Sequence, residues 1–158
     1  MMKRIFAGVL ALVCVMGVMG GCAKAPNELT IDASKWHSFS GQDITNERLK
    51  EIVDNGEIPK NVEQLGLSTN QISDVMSLKA LTSLRTLSLV DNQIIDITPL
   101  QSLTNLRNLS LDNNQINDIS SLKSLVNLEG LRLIGNQLTQ EQIDELQKAL
   151  PNCEIIWE

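Results

Sequence analysis

Side chains able to do covalent or metal chemistry are few in this sequence, and their spacing decides against most of it. There is one histidine, His37, and there are three cysteines, Cys14, Cys22 and Cys153. Catalysis needs titratable groups that converge on one point. A single histidine without a second histidine or a close cysteine cannot build a zinc site. Cys153 is the sole candidate nucleophile, but its place in the repeat register set out below puts it among leucines. Burial there raises a thiol's pKa and makes it inert. A column of aspartates, Asp74, Asp96 and Asp118, suggests calcium. Calcium takes six or more oxygens from a loop that folds around the ion. These are single carboxylates beside apolar residues, and capping of a local turn suits them better. The expectation is a chain with no catalytic residue, no metal and no cofactor.

Cys22 offers a different chemistry, set by what precedes it. Lys3 and Arg4 open the chain, Ile5 to Met19 is an uncharged apolar run, and Gly20, Gly21 and Cys22 follow. The run is shorter than the roughly 20 residues that cross a bilayer comfortably, and it suits the apolar region of a signal peptide. Met19-Gly20-Gly21-Cys22 resembles a bacterial lipoprotein signal, departing from it only at Met19, where an aliphatic residue is usual. The resemblance implies cleavage before Cys22 and a lipid on its thiol, hence an exported, membrane-anchored protein of the bacterial cell envelope; an uncleaved membrane anchor and ordinary signal cleavage are the alternatives. Cys14 lacks small residues before it. Cys153 would then be the only thiol of the mature chain, and no internal disulfide could form.

Charge narrows the partners. The 158 residues carry 13 basic and 19 acidic side chains. Loss of Lys3 and Arg4 leaves 11 against 19, a formal charge of −8. Nucleic acid needs a basic face. The aromatics are Phe6, Trp36, Phe39 and Trp157, with no tyrosine, so stacking platforms for bases are not expected.

The elements that hold these residues repeat. Asn70, Asn92, Asn114 and Asn136 stand 22 residues apart, each followed by glutamine and then by Ile72, Ile94, Ile116 or Leu138. Ahead of them run Leu65, Leu87, Leu109 and Leu131, then Leu67, Leu89, Leu111 and Leu133. Behind them run Leu78, Leu100 and Leu122, then Leu81, Leu103 and Leu125. A fixed period of this kind marks a stacked-coil architecture. Leu87 and Leu89 alternate with Thr86, Ser88 and Val90, the period of a short strand with leucines inward. The asparagine turns the chain, and its amide can satisfy buried turn groups that would otherwise lack partners. One coil cannot bury its own leucines; stacked coils bury them in one continuous core.

The pattern LxxLxLxxNxIxDIxxLxxL resembles the 22-residue leucine-rich repeats of internalin-type bacterial surface proteins, over Val62 to Leu138. The resemblance implies an α/β solenoid. A right-handed coil would carry a parallel sheet on its concave face and short 3₁₀ or irregular segments on its convex face. It implies no particular ligand.

Both ends are closed. Thr45 is a candidate N-cap, Leu49, Ile52 and Val53 share a helical face, and Gly56 ends the helix. At the other end Thr139 and Gln142 have capping-box spacing. Ile143, Leu146 and Leu150 fall on one face, and Pro151 stops that helix. Adding 22 to Leu128, Leu131 and Leu133 gives Leu150, Cys153 and Ile155, a fifth strand with cysteine in a leucine slot. The expected organisation is a signal peptide over 1–21, a tether and linker over 22–43 and an N-terminal capping helix over 44–61. Repeats follow over 62–138, and a C-terminal helix and strand over 139–158. Trp36 and Phe39 are expected to cover the capping helix, the alternative being contact with lipid head groups.

Partner binding in this kind of protein uses the concave strand face. Register places three outward columns there: Gln64, Thr86, Asn108 and Gly130; Gly66, Ser88, Ser110 and Arg132; Ser68, Val90, Asp112 and Ile134. The face is thin in the aromatic and arginine anchors that carry interface energy. Five strands at about 4.8 Å make it about 19 Å across. The reading is a monomeric, lipid-anchored binding module for protein or peptide partners. The alternatives are a structural envelope protein without a specific ligand, or a cytoplasmic-type repeat regulator should the signal go unused.

Overall fold

The computed structural model of the chain describes residues 35–158. The expected signal peptide, Cys22 and most of the expected tether lie outside the described residues. Six three-residue strands form one parallel sheet in chain order: β1 Trp36–Ser38, β2 Gln64–Gly66, β3 Thr86–Ser88, β4 Asn108–Ser110, β5 Gly130–Arg132 and β6 Glu154–Ile156. Helix α1, Asn46–Asp54, joins β1 to β2, and helix α2, Gln140–Ala149, joins β5 to β6. The three inner crossovers carry 3₁₀ turns instead, at Met76–Ala80, Thr98–Ser102 and Ser120–Ser124. This is the expected solenoid.

Each coil follows from its residue types. The middle residue of each inner strand, Leu65, Leu87, Leu109 or Leu131, is at most 2% exposed, while its two neighbours face out. Just past the strand, Thr69, Asp91, Asn113 and Gly135 take left-handed backbone, with φ of 56°, 55°, 54° and 72°. That kink turns the following asparagine inward. Asn92 Nδ2 donates to Leu67 O at 3.0 Å and Leu89 O at 3.1 Å, and Asn92 Oδ1 accepts from Ile72 N at 3.0 Å. Asn114 repeats this one coil on, with Leu89 O, Leu111 O and Ile94 N. Asn136 does so with Leu111 O, Leu133 O and Ile116 N. At the N-terminal end Asn70 binds Phe39 O, Leu67 O and Ile44 N. One amide thus serves both its own turn and the previous coil, giving partners to main-chain groups buried there.

The convex side has its own ties. Asp74, Asp96 and Asp118 accept from the N–H two residues on, Met76, Thr98 and Ser120, at 2.7 to 2.8 Å. The residues that formally cap the 3₁₀ turns are Val75, Ile97 and Ile119, without a side-chain bond. The aspartates therefore fix the approach to each turn from one residue earlier. Asn105 and Asn127 donate across coils to Thr82 O and Thr104 O, each at 2.8 Å.

The ends hold two departures from the 22-residue rule. β5 pairs with β6 as Leu131↔Ile155, a step of 24, not Leu131 to Cys153. Helix α2 uses two more residues than a 3₁₀ crossover. A shift of two preserves side-chain parity, so Cys153 is still buried, one position before the strand, and Trp157 packs on the core after it. At the other end the segment read as linker contributes β1, paired as His37↔Leu65. The sheet has six strands, not five. Phe39 packs against the core, whereas Trp36 points out of the sheet and is 53% exposed. Only one of the two aromatics thus acts as cover. The caps form as expected: Thr45 accepts from Arg48 N, and Thr139 and Gln142 form a reciprocal capping box.

Candidate functional site

The concave face is built from the outward residues of the strands. Its first column runs Trp36, Gln64, Thr86, Asn108, Gly130 and Glu154; its second runs Ser38, Gly66, Ser88, Ser110, Arg132 and Ile156. Trp36 and Ile156 add apolar surface at opposite edges, at positions the repeat pattern alone did not mark. Gly66 and Gly130 leave dents. A Cβ at Gly66 would sit 3.1 Å from Ser38 Oγ, and one at Gly130 would sit 2.9 Å from Asn108 Oδ1.

The third column is partly consumed by internal bonds. Ser68 and Ser88 share a hydroxyl contact at 2.7 Å. Asp112 is only 7% exposed. Its Oδ2 accepts from Arg132 Nε at 2.8 Å and its Oδ1 from Ile134 N at 2.9 Å. Asp112 therefore leaves the accessible face and instead orients Arg132, whose guanidinium remains exposed. Val90 and Ile134 are half-buried beside it. Six strands at about 4.8 Å give a face about 24 Å wide and one short strand deep. A stable protein interface takes about 800 Å² per partner, so a partner must also use a rim.

The rim at the strand starts is charged. The residue before each of β1 to β5 is Lys35, Glu63, Arg85, Arg107 or Glu129. Lys35 Nζ lies 2.5 Å from Glu63, Arg85 Nε 3.5 Å from the same carboxylate, and Arg107 pairs with Glu129 at 2.5 Å. Arg85, Asn105, Arg107 and Asn127 line a pocket of about 260 Å³. A larger groove of about 520 Å³ lies on the convex side between α1 and the first 3₁₀ turn, floored by Val53, Met76 and Ala80.

Two of the convex aspartates serve the scaffold. Asp96 is held below the usual carboxylate range by the hydroxyl and N–H of Thr98, and Asp118 by the N–H and hydroxyl of Ser120. Burial pushes the Cys153 thiol up, with Glu154 adding to it. His37 lies in the leucine column, and its Nδ1 is buried without a hydrogen-bond partner among the described residues.

Comparison with known proteins agrees with this geometry. The sequence profile of Leucine Rich repeats (2 copies) matches residues 82–124 and 104–148. No curated protein matches the sequence. Among solved structures, an internalin (inlF) of Listeria monocytogenes is similar at 33% identity and a TM-score of 0.61. The match covers 68% of this chain and 30% of that one. A leucine-rich-repeat protein of Leptospira interrogans is similar at 30% identity and a TM-score of 0.58, over 65% of this chain and 27% of that one. The chain thus spans less than a third of each of these proteins. Repeat, sheet and comparison together make it a leucine-rich-repeat solenoid, similar in structure to the internalins.

Proposed function

We propose that the chain is an exported, non-catalytic binding module for protein or peptide partners, held at the bacterial membrane by lipid on Cys22. One observation carries the binding reading. The core is completed by one residue per inner strand, so the outward columns centred on Thr86, Ser88, Asn108 and Ser110 are not needed to fill it. A repeat array whose strand face is not spent on packing is free to present that face to a partner.

The test is site-specific photo-crosslinking in intact cells. A crosslinker at Asn108 on the concave face should give a discrete adduct, and one at Gln101 on the convex side should not. Equal labelling at both sites, or none at either, would sink the reading. The anchor is tested separately: Cys22→Ser should abolish partition into detergent. A wild-type protein that retains Met1 by mass spectrometry would rule the lipoprotein out.

A second reading, a structural envelope protein without a specific ligand, is favoured by the internal pairing of Ser68 with Ser88 and of Asp112 with Arg132. Cell fractionation separates both readings from a cytoplasmic-type regulator.

A further inference from the structure

The charged rim breaks its own alternation once. Along the column Lys35, Glu63, Arg85, Arg107 and Glu129, opposite charges adjoin everywhere except between Arg85 and Arg107. The main chain fixes these two in neighbouring coils, because Arg107 N donates to Arg85 O at 2.8 Å. The two cationic side chains thus sit on adjacent turns with no acid between them.

Their donors are largely unspent. Among the described residues the Arg85 side chain makes no hydrogen bond, and its Nε stays 3.5 Å from a Glu63 carboxylate already engaged by Lys35. Arg107 commits one N–H of its five to Glu129. The pocket of about 260 Å³ that the arginines line is otherwise bordered by Asn105 and Asn127. Each of those amides gives one hydrogen to a carbonyl of the previous coil and has a second to offer. Two guanidinium forks beside two amide donors are the chemistry that receives an oxyanion.

We infer that this pocket binds a single carboxylate, the acidic side chain or C-terminus of a peptide laid on the concave face. The inference rests on the binding-module reading only for its partner, since Thr86 and Asn108 of that face follow the two arginines directly in the chain. Charge selects carboxylate over phosphate. Arg107 is paired with Glu129 and Arg85 lies 3.5 Å from Glu63, so the pair keeps only part of its positive charge and suits a monoanion. A dianion would meet the repulsion of Glu63, Glu129 and a chain of formal charge −6.

The arginine Nε–H signals of the ¹⁵N-labelled full chain report occupancy directly. N-acetyl-glutamate amide is the probe, inorganic phosphate the competitor, and ionic strength is held constant. Arg85 and Arg107 should shift together and saturate at a concentration about tenfold below that which moves Arg48 or Arg132, neither of which lines this pocket. R107Q should abolish the Arg85 shift and K79Q, on the convex side, should leave it, with both variants melting like the wild type. Parallel, non-saturating shifts of all arginines would overturn the site, and earlier saturation by phosphate would overturn its assignment to carboxylate. Saturation without any crosslinked partner would sink the binding-module reading alone; a crosslinked partner without saturation would sink the pocket alone.

Discussion

At the scale of single residues, the stack depends on its polar side chains as well as on its leucines. Asn92 bonds three carbonyls and one N–H in the middle of the array, and it is 7% exposed. Asn92→Ala should cost about 1–3 kcal/mol, because it strands buried main-chain groups. Asn108→Ala, on the exposed strand face, should change stability by no more than about 0.5 kcal/mol. Urea unfolding of both variants checks this, and equal shifts would refute the register. The residue before each asparagine carries the opposite effect. Thr69, a β-branched residue, holds φ of 56° where the later coils have Asp91, Asn113 and Gly135. Left-handed backbone disfavours β-branched residues and tolerates asparagine. Thr69→Asn should therefore raise stability by about 0.5–1 kcal/mol. A variant no more stable than the wild type would show that this turn is not strained.

At the scale of elements, the sequence is legible where a coil repeats and opaque where it stops repeating. The leucine and asparagine columns read directly because each position meets the same neighbours every 22 residues. Trp36–Ser38 was not legible as a strand, because its inward residue is a histidine and its outward ones are tryptophan and serine. Only the pairing of His37 with Leu65 reveals the column. β6 was legible as a strand but not in register, since the 22-residue rule ignores the longer helix that precedes it. The binding face was readable as columns, but the burial of Asp112 was not. Its bond to Arg132 joins residues 20 apart, across the period. The imperfect fit of β1 has a measurable consequence. His37 presents a buried nitrogen without a partner among the described residues, in a leucine slot. His37→Leu should stabilise the domain by about 1 kcal/mol by removing that unmet group. A lower melting temperature would mean that the imidazole contributes more than it costs, and would refute this reading.

At the scale of the molecule, each coil touches only its neighbours, so stability is a sum of coil and interface contributions and the ends decide whether the sum suffices. The C-terminal cap covers the last coil with Ile143, Leu146, Leu150 and Cys153, each at most 6% exposed. β6 adds backbone pairing to β5. Deleting residues 138–158 should expose the leucines of the last coil together with an unpaired strand edge, a template for aggregation. The remaining body is small and has little stability to spare. The truncated chain should aggregate or melt far below the intact one. In the intact chain Cys153 should resist a thiol reagent until denaturant is added, because it is 4% exposed and its thiol is pushed up by burial. The two measurements check each other. Rapid native labelling of Cys153 would mean that the segment between α2 and β6 is not docked. Deleting only residues 151–158 should then cost little, and the cap would have to be assigned to α2 alone.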